Sequence, residues 1–281
     1  MKFLHNKLDG MAEYRQLFSA LETNKLPAMA TGLSSVHKAH LISELCRQTD
    51  RRALVIAGDE TEASRLCDDL NAMGCSAAFY PARDFTFRDV EGVSKEFEHK
   101  RIGALYSYAS GESRVIVCCA DGAVQYTMPK EKLLSSTIEI KEGSSSTRDE
   151  IISYLSAGGY VRVEQVDGTG QFAVRGGILD FFMPSAPAPC RVEFWGDEID
   201  TVSSFDIETQ RRTDRISGFS ITPSNELLFD DPAALADKID AKARSLRGKA
   251  AAGAKQVLAK ESELLRGGGR LANADKFYSL I

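Results

Sequence analysis

Apolar and polar side chains alternate with a period of two through much of residues 158–212, the pattern of strands that bury one face and leave the other outward. Phe172 and Val174 share one parity, which puts Arg175 on the other. Val192 and Phe194 likewise share one parity, so Arg191, Glu193 and Trp195 fall together on the opposite face. Gly196-Asp197 separates CRVEFW from EIDTVSSF and predicts a tight hairpin, where a glycine in first place suits a type II′ turn. Residues 149–157 predict a helix ahead of these strands. One helix and a run of antiparallel strands make residues 138–218 a small α+β domain.

Upstream the period changes. Residues 11–21, 36–45 and 60–73 carry apolar positions at helical spacing, and a charged amphipathic helix is predicted from about residue 94. Short apolar runs at 53–57, 77–80 and 115–119 predict buried strands. Strands separated by helices need crossover connections, so residues 1–137 predict a three-layer α/β domain around a mostly parallel sheet. Beyond residue 221 a Pro-Ser-Asn loop leads into a charged, Ala-rich helical stretch at 232–266, closed by Gly267-Gly268-Gly269. That stretch, in residues 219–281, reads as too polar to be a core by itself.

The outward set on the strands carries the most unusual chemistry. Trp195 is the single tryptophan of the chain and stands among charged neighbours. Trp and Arg are enriched at the buried centres of protein interfaces, so this face reads as a docking surface. The other reading is a second layer of the same domain lying over this face, with Trp195 as core and the arginines paired locally. Strand parity leaves both open.

Composition narrows the classes. With 281 residues and 43% hydrophobic content the chain can bury a sizeable core. No apolar run approaches the roughly 20 residues of a membrane span, and Met1 begins no signal or transit segment, so a cytoplasmic protein is expected. Cys46, Cys67, Cys75, Cys118, Cys119 and Cys190 show no CxxC spacing and are expected as buried free thiols. Residues 138–218 hold 8 Lys and Arg against 14 Asp and Glu, a net charge of −6, beside −5 for the whole chain. Such a domain lacks the basic footprint of tight phosphate-backbone binding, and a protein partner fits it better.

Catalytic constellations are thin. His37 and His40 share a helix face without HExxH or a nearby acidic ligand, so no metal is expected. Asp68-Asp69 reads as a solvated helix face and Asp230-Asp231 as the approach to a helix start. Ser34-Ser35 lacks a GxSxG elbow.

The runs QFAVRGGILDFF, CRVEFWGDEID and FDIETQRR, in that order, resemble the UvrB homology module of bacterial transcription-repair coupling factors, the Mfd family, and more loosely the repair protein UvrB. FYPARDFTFRD, SKEFEHKRIGALYSY and RVIVCCADGAVQYTMP extend the resemblance over about residues 10–230. It implies a degenerate P-loop-NTPase-like parallel-sheet domain with the α+β unit inserted and residues 219–281 returning to complete part of it. UvrB-like relatives carry a phosphate loop ending Gly-Lys-Thr where this chain has ATGLSSV. With Thr31-Gly32 aligned on the same pair, Ser34, Ser35 and Val36 replace the Gly, the lysine and the magnesium ligand. Lys38 lies too far along the helix to substitute. No cofactor is therefore expected.

In the family, the coupling factor releases stalled RNA polymerase and recruits the excision-repair protein UvrA, with this module acting as a UvrB mimic. The resemblance places the UvrA-docking arginines on Arg175 and Arg191 and the docking aromatic, commonly phenylalanine, on Trp195. Glu193 and Arg162 are further candidates for that face. The implied module is non-catalytic, with UvrA and the remainder of a parent chain as partners, no strong DNA binding and no membrane. A larger polypeptide is expected, its ATP-dependent DNA translocase activity lying in other domains that could also mask the docking face. The aromatic hairpin that UvrB relatives push between DNA strands has only a few residues available before the helix that follows Ser94. The competing reading is a UvrB-type damage-verifying ATPase, which predicts ATP binding.

Overall fold

The computed structural model describes residues 5–83, 95–144, 146–229, 231–248, 251–269, 271 and 274–280. The segment considered for a DNA-clamping hairpin lies outside the described residues. The chain divides into two compact units, Met1–Glu226 and Leu227–Ile281.

The first unit opens with α1 (Ala12–Glu22), α2 (Ser35–Thr49), β1 (Ala53–Ala57), α3 (Glu60–Ala72), β2 (Ala77–Phe79), α4 (Glu96–Ser110), β3 (Val115–Cys119), α5 (Ala120–Ala123) and α6 (Lys130–Ser135). Its three strands are parallel in the order β1-β3-β2. β3 is VIVCC and buried at every position, because helices cover both faces of the sheet there. On one face Ala39 of α2 and Leu66 and Leu70 of α3 pack on Val115 and Val117. On the other, Ala104 of α4 packs with Ile116 and Cys118. Asp59 fixes the start of α3 by accepting from the Glu62 N–H. All six cysteines are free and buried, as their dispersed spacing predicts.

The same unit continues through β4 (Ile138–Lys141), α7 (Arg148–Ala157), β5 (Val161–Arg162), β6 (Gln171–Arg175), β7 (Ile178–Phe181), β8 (Cys190–Trp195), β9 (Glu198–Phe205), β10 (Arg212–Arg215) and β11 (Gly218–Ile221). Six of these strands form one sheet in the order β10-β9-β8-β7-β6-β5, antiparallel except for β5, which runs parallel to β6. β4 and β11 pair separately, also antiparallel. The expected mixture of a parallel α/β layer and an antiparallel α+β region is the architecture observed.

α7 begins with a reciprocal capping box between Thr147 and Glu150 and sends Ile151 and Leu155 into the core. There they meet Phe172, Leu179, Phe181, Val192 and Val202 from one face of the six-stranded sheet. The β8–β9 register steps from Glu193↔Thr201 to Phe194↔Ile199, leaving Asp200 as an extra residue in β9. This bulge lets Ile199 and Val202, three apart, reach the same core. At the hairpin Trp195 pairs with Glu198, and of the two turn residues only Gly196 has a positive φ, +63°, the sign pattern of a type II′ turn.

The second unit holds α8 (Pro232–Ser245) and α9 (Ala251–Arg266), so the single helical stretch expected at 232–266 is two helices. The chain leaves the helix at Leu246, and Gly248 takes a φ of +101°. Asp231 caps α8 by accepting from the N–H groups of Ala233 and Ala234, with Pro232 in the first turn. Leu235, Ala236, Ile239, Leu265 and Phe277 form a small core of this unit's own, against the expectation that the stretch was too polar for one. Leu235, Ala236 and Ile239 share one face of α8, and Leu265 of α9 and Phe277 beyond it complete the cluster once the stretch folds back on itself. Among the described residues no helix is long and apolar enough to cross a membrane.

Candidate functional site

The six-stranded sheet has a second face, and the chemistry lies there. At one end Val166, Ala173 and Phe205 form a small buried cluster with Val163 and Phe182 packed against it. The rest of the face carries Arg175, Asp180, Arg191, Glu193 and Trp195. Register explains the grouping: Ala173 pairs with Asp180, Asp180 with Arg191, and Arg191 with Ser203, so these residues form a row across four strands on the side away from α7.

Asp180 is the hub of this row. Its flanking residues Leu179 and Phe181 point into the core, which forces its carboxylate onto the charged face, where its side chain is 1% exposed. Arg191 grips it side-on, Nε donating to Oδ1 at 2.6 Å and Nη2 to Oδ2 at 2.9 Å. Arg175 Nη2 donates to the same Oδ2 at 2.6 Å. Two guanidinium groups thus share one carboxylate, in charge-assisted bonds shielded from water.

The two arginines differ in what they leave free. Arg191 also donates through Nη1 to the Gln210 carbonyl at 3.2 Å and lies over the Phe205 ring at 4.7 Å, so its side chain is 12% exposed. The hydrogen bonds to Asp180 hold its proton even more firmly than usual. Arg175 is 45% exposed, and among the described residues its Nε and Nη1 have no acceptor. Glu193 forms an ion pair with Arg212 from β10. Trp195 is 85% exposed at the strand end, and the covered-sheet reading of it is set aside. Arg162 is also exposed, but it is in register with Phe172, whose side chain belongs to the helix-covered core. The structure therefore sets Arg175, Arg191, Glu193 and Trp195 on one face of the sheet and Arg162 on the reverse side, at the sheet edge.

Sequence reasoning did not single out Asp180. The signal was present: within ILDFF it is the one acidic residue between two core positions, and a two-residue turn at Gly176-Gly177 sets it diagonal to Arg175.

The loop read as a degenerate phosphate site leads into α2. Gly32 has a φ of +77°, and Ser34 Oγ is hydrogen-bonded to His37 Nδ1 at 3.0 Å. Lys38 Nζ is held by Glu62 Oε1 at 2.9 Å, while Glu62 Oε2 accepts the Gly58 N–H at 3.0 Å. A cleft of about 580 Å³ beside them is bordered by Ser35, by Lys38 and Arg65, and by the carboxylates of Asp59, Glu62, Asp68 and Asp69. Neither His37 nor His40 belongs to a cluster of metal-binding side chains among the described residues.

Residues 138–227, which contain the whole charged face, match the family model of the UvrB interaction domain. Over 232 residues the chain is 25% identical to the transcription-repair-coupling factor of Bacillus subtilis, covering 81% of this chain and 20% of that protein. The corresponding protein of Haemophilus influenzae is 30% identical over 191 residues, covering 68% of this chain and 17% of the relative. That of Staphylococcus aureus is 28% identical over 205 residues, 72% of this chain and 18% of the relative. The chain spans about a fifth of the length of these relatives. Its charged face lies within a match to the UvrB interaction domain, and its similarity to transcription-repair-coupling factors covers most of the chain.

Proposed function

We propose that this chain is a UvrB-like, non-catalytic recruitment module of a transcription-repair coupling factor, and that its partner is UvrA. The observation that carries the reading is a sheet face, inside the matched region, that presents an exposed Trp195 and the half-exposed Arg175 of the arginine pair gathered by Asp180. An aromatic anchor on the same face as partly desolvated arginines is the composition of an interface centre. The net charge of −6 over residues 138–218 favours a protein partner over a phosphate backbone.

The first α/β layer is, on this reading, a nucleotide-binding fold that has lost its chemistry. Val36 stands where a magnesium-binding hydroxyl is needed, and Lys38 is already neutralised by Glu62. The carboxylates of Asp59, Glu62, Asp68 and Asp69 around the cleft outnumber its cations, Lys38 and Arg65, and disfavour a polyphosphate. Calorimetric titration of purified UvrA into the 281-residue chain tests the proposal. Arg175→Ala and Trp195→Ala are each expected to weaken binding by about 1–4 kcal/mol. Native affinity in both variants would overturn it.

A further inference from the structure

Resting on the docking reading above, we infer that Asp180 is the positioning residue of the docking face: clamped to Arg191, it holds Arg175 in place and leaves that guanidinium's outer edge as the donor presented to the partner. Two guanidinium groups repel one another unless a carboxylate lies between them. Asp180 supplies it from a position sealed on the core side by Leu179 and Phe181. The grip is asymmetric. Arg191 spends Nε and Nη2 on Asp180 and Nη1 on the Gln210 carbonyl, and its face is occupied by Phe205. Arg175 spends only one hydrogen bond, through Nη2, on Asp180, and on its half-exposed side chain Nε and Nη1 have no acceptor among the described residues.

The division of labour follows from donor geometry. A planar guanidinium with one edge anchored can offer its other edge to a carboxylate in a two-point bond, and anchoring beforehand reduces the rotamer entropy lost on docking. Arg191, by contrast, has little left to offer without giving up an internal bond. Its contribution to docking is made through Asp180 and Arg175, whereas Arg175 makes contact directly.

A double-mutant cycle read by calorimetry with purified UvrA tests this. Asp180→Asn keeps the shape but loses the charge, and is expected to weaken binding about tenfold, with Arg175→Ala weakening it at least as much. Asp180→Asn added to Arg175→Ala should cause no further loss, because the clamp has nothing left to position. A purely structural role would instead multiply the two losses. Should Asp180→Asn fail to fold, Arg191→Lys keeps a cation against Asp180 while removing the side-on grip, and the same non-additivity with Arg175→Ala is expected. Multiplying losses, or native affinity in the folded clamp variant, overturns the inference while leaving the docking reading standing. Native affinity in Arg175→Ala and Trp195→Ala together overturns the docking reading itself.

Discussion

Arg101 and Glu226 meet in a two-point ion pair, Nε to Oε2 at 2.8 Å and Nη2 to Oε1 at 3.0 Å, with 0% and 2% of their side chains exposed. Arg101 on α4 also donates to the Pro81 carbonyl and stacks on Tyr80, while Arg83 reaches Glu226 at 3.0 Å. The cluster ties α4 to the chain that leaves β11 after a long excursion through the six-stranded sheet. Removing one member of a buried pair strands the other's charge, which costs far more than the pair itself contributes. Glu226→Ala is therefore expected to destabilise the first unit by about 3–5 kcal/mol, measured as a lowered urea midpoint by circular dichroism. A midpoint within error of the parent would show that Arg101 finds another acceptor.

His99, one residue past Glu98 on α4, is buried and bonded through Nε2 to Ser224 Oγ at 3.0 Å. Burial, with Lys95 adding to it, lowers its pKa from 6.5 to about 4. The fold thus holds the ring neutral where the unfolded chain would protonate it. Its contribution is fully present above pH 6.5 and is lost as pH falls towards 4, a change of about 2–3 kcal/mol. Burial of Glu98 raises that carboxyl and works in the opposite direction, so the comparison must be made between variants. The parent's stability is expected to decline more steeply between pH 6.5 and 4 than that of His99→Gln. Parallel profiles would remove His99 from the account.

Gly170 shows how tightly that contact is set. Its φ is +78°, and a Cβ there would lie 2.5 Å from Ser224 Oγ and 2.7 Å from His99 Cε1. Gly170→Ala is expected to cost about 1–3 kcal/mol through backbone strain and overpacking together. Gly176, with φ +58° but open space around the added carbon, should suffer only the strain. Thermal melts of the two variants give the comparison, and equal losses would show that the His99–Ser224 wall yields freely.

Trp195 carries little of the fold, being the most exposed member of its strand. Trp195→Ala is expected to leave unfolding stability within about 0.5 kcal/mol of the parent. As the only tryptophan it also serves as a probe: its emission should move to shorter wavelength when UvrA is added, as the indole leaves water. An emission maximum that stays put at saturating UvrA would place the docking surface elsewhere.

How much of this was legible in the sequence follows from which constraints are local. The period of two placed Trp195, Arg175 and Arg191 on one face correctly, because β8 keeps its alternation through the bulge and the extra residue falls in β9. The bulge itself has no signature beyond Ile199 and Val202 standing three apart. The parallel strands were readable as apolar runs between helical spacings. Alternation can state which face Arg191 is on, but not that Asp180 waits opposite on the neighbouring strand. That is a matter of the β7–β8 register, and these strands are joined by residues 182–189 rather than by a two-residue turn. The Arg101–Glu226 pair joins residues 125 positions apart and had no pattern to betray it.

A polyphosphate is bound where backbone N–H groups, a free lysine and a magnesium ligand converge. Here Lys38 is paired with Glu62, Val36 offers no oxygen, and Asp59, Asp68 and Asp69 border the neighbouring cleft. Glu62→Gln would free the lysine, but the cleft it borders would still set three carboxylates, Asp59, Asp68 and Asp69, against Lys38 and Arg65. Neither the parent nor Glu62→Gln is therefore expected to show saturable binding of ATP with magnesium up to millimolar concentration, measured by calorimetry or a fluorescent analogue. Saturation in the parent would favour the damage-verifying ATPase reading. Saturation in Glu62→Gln alone would mean that one ion pair, rather than the loss of the loop's chemistry, keeps nucleotide out.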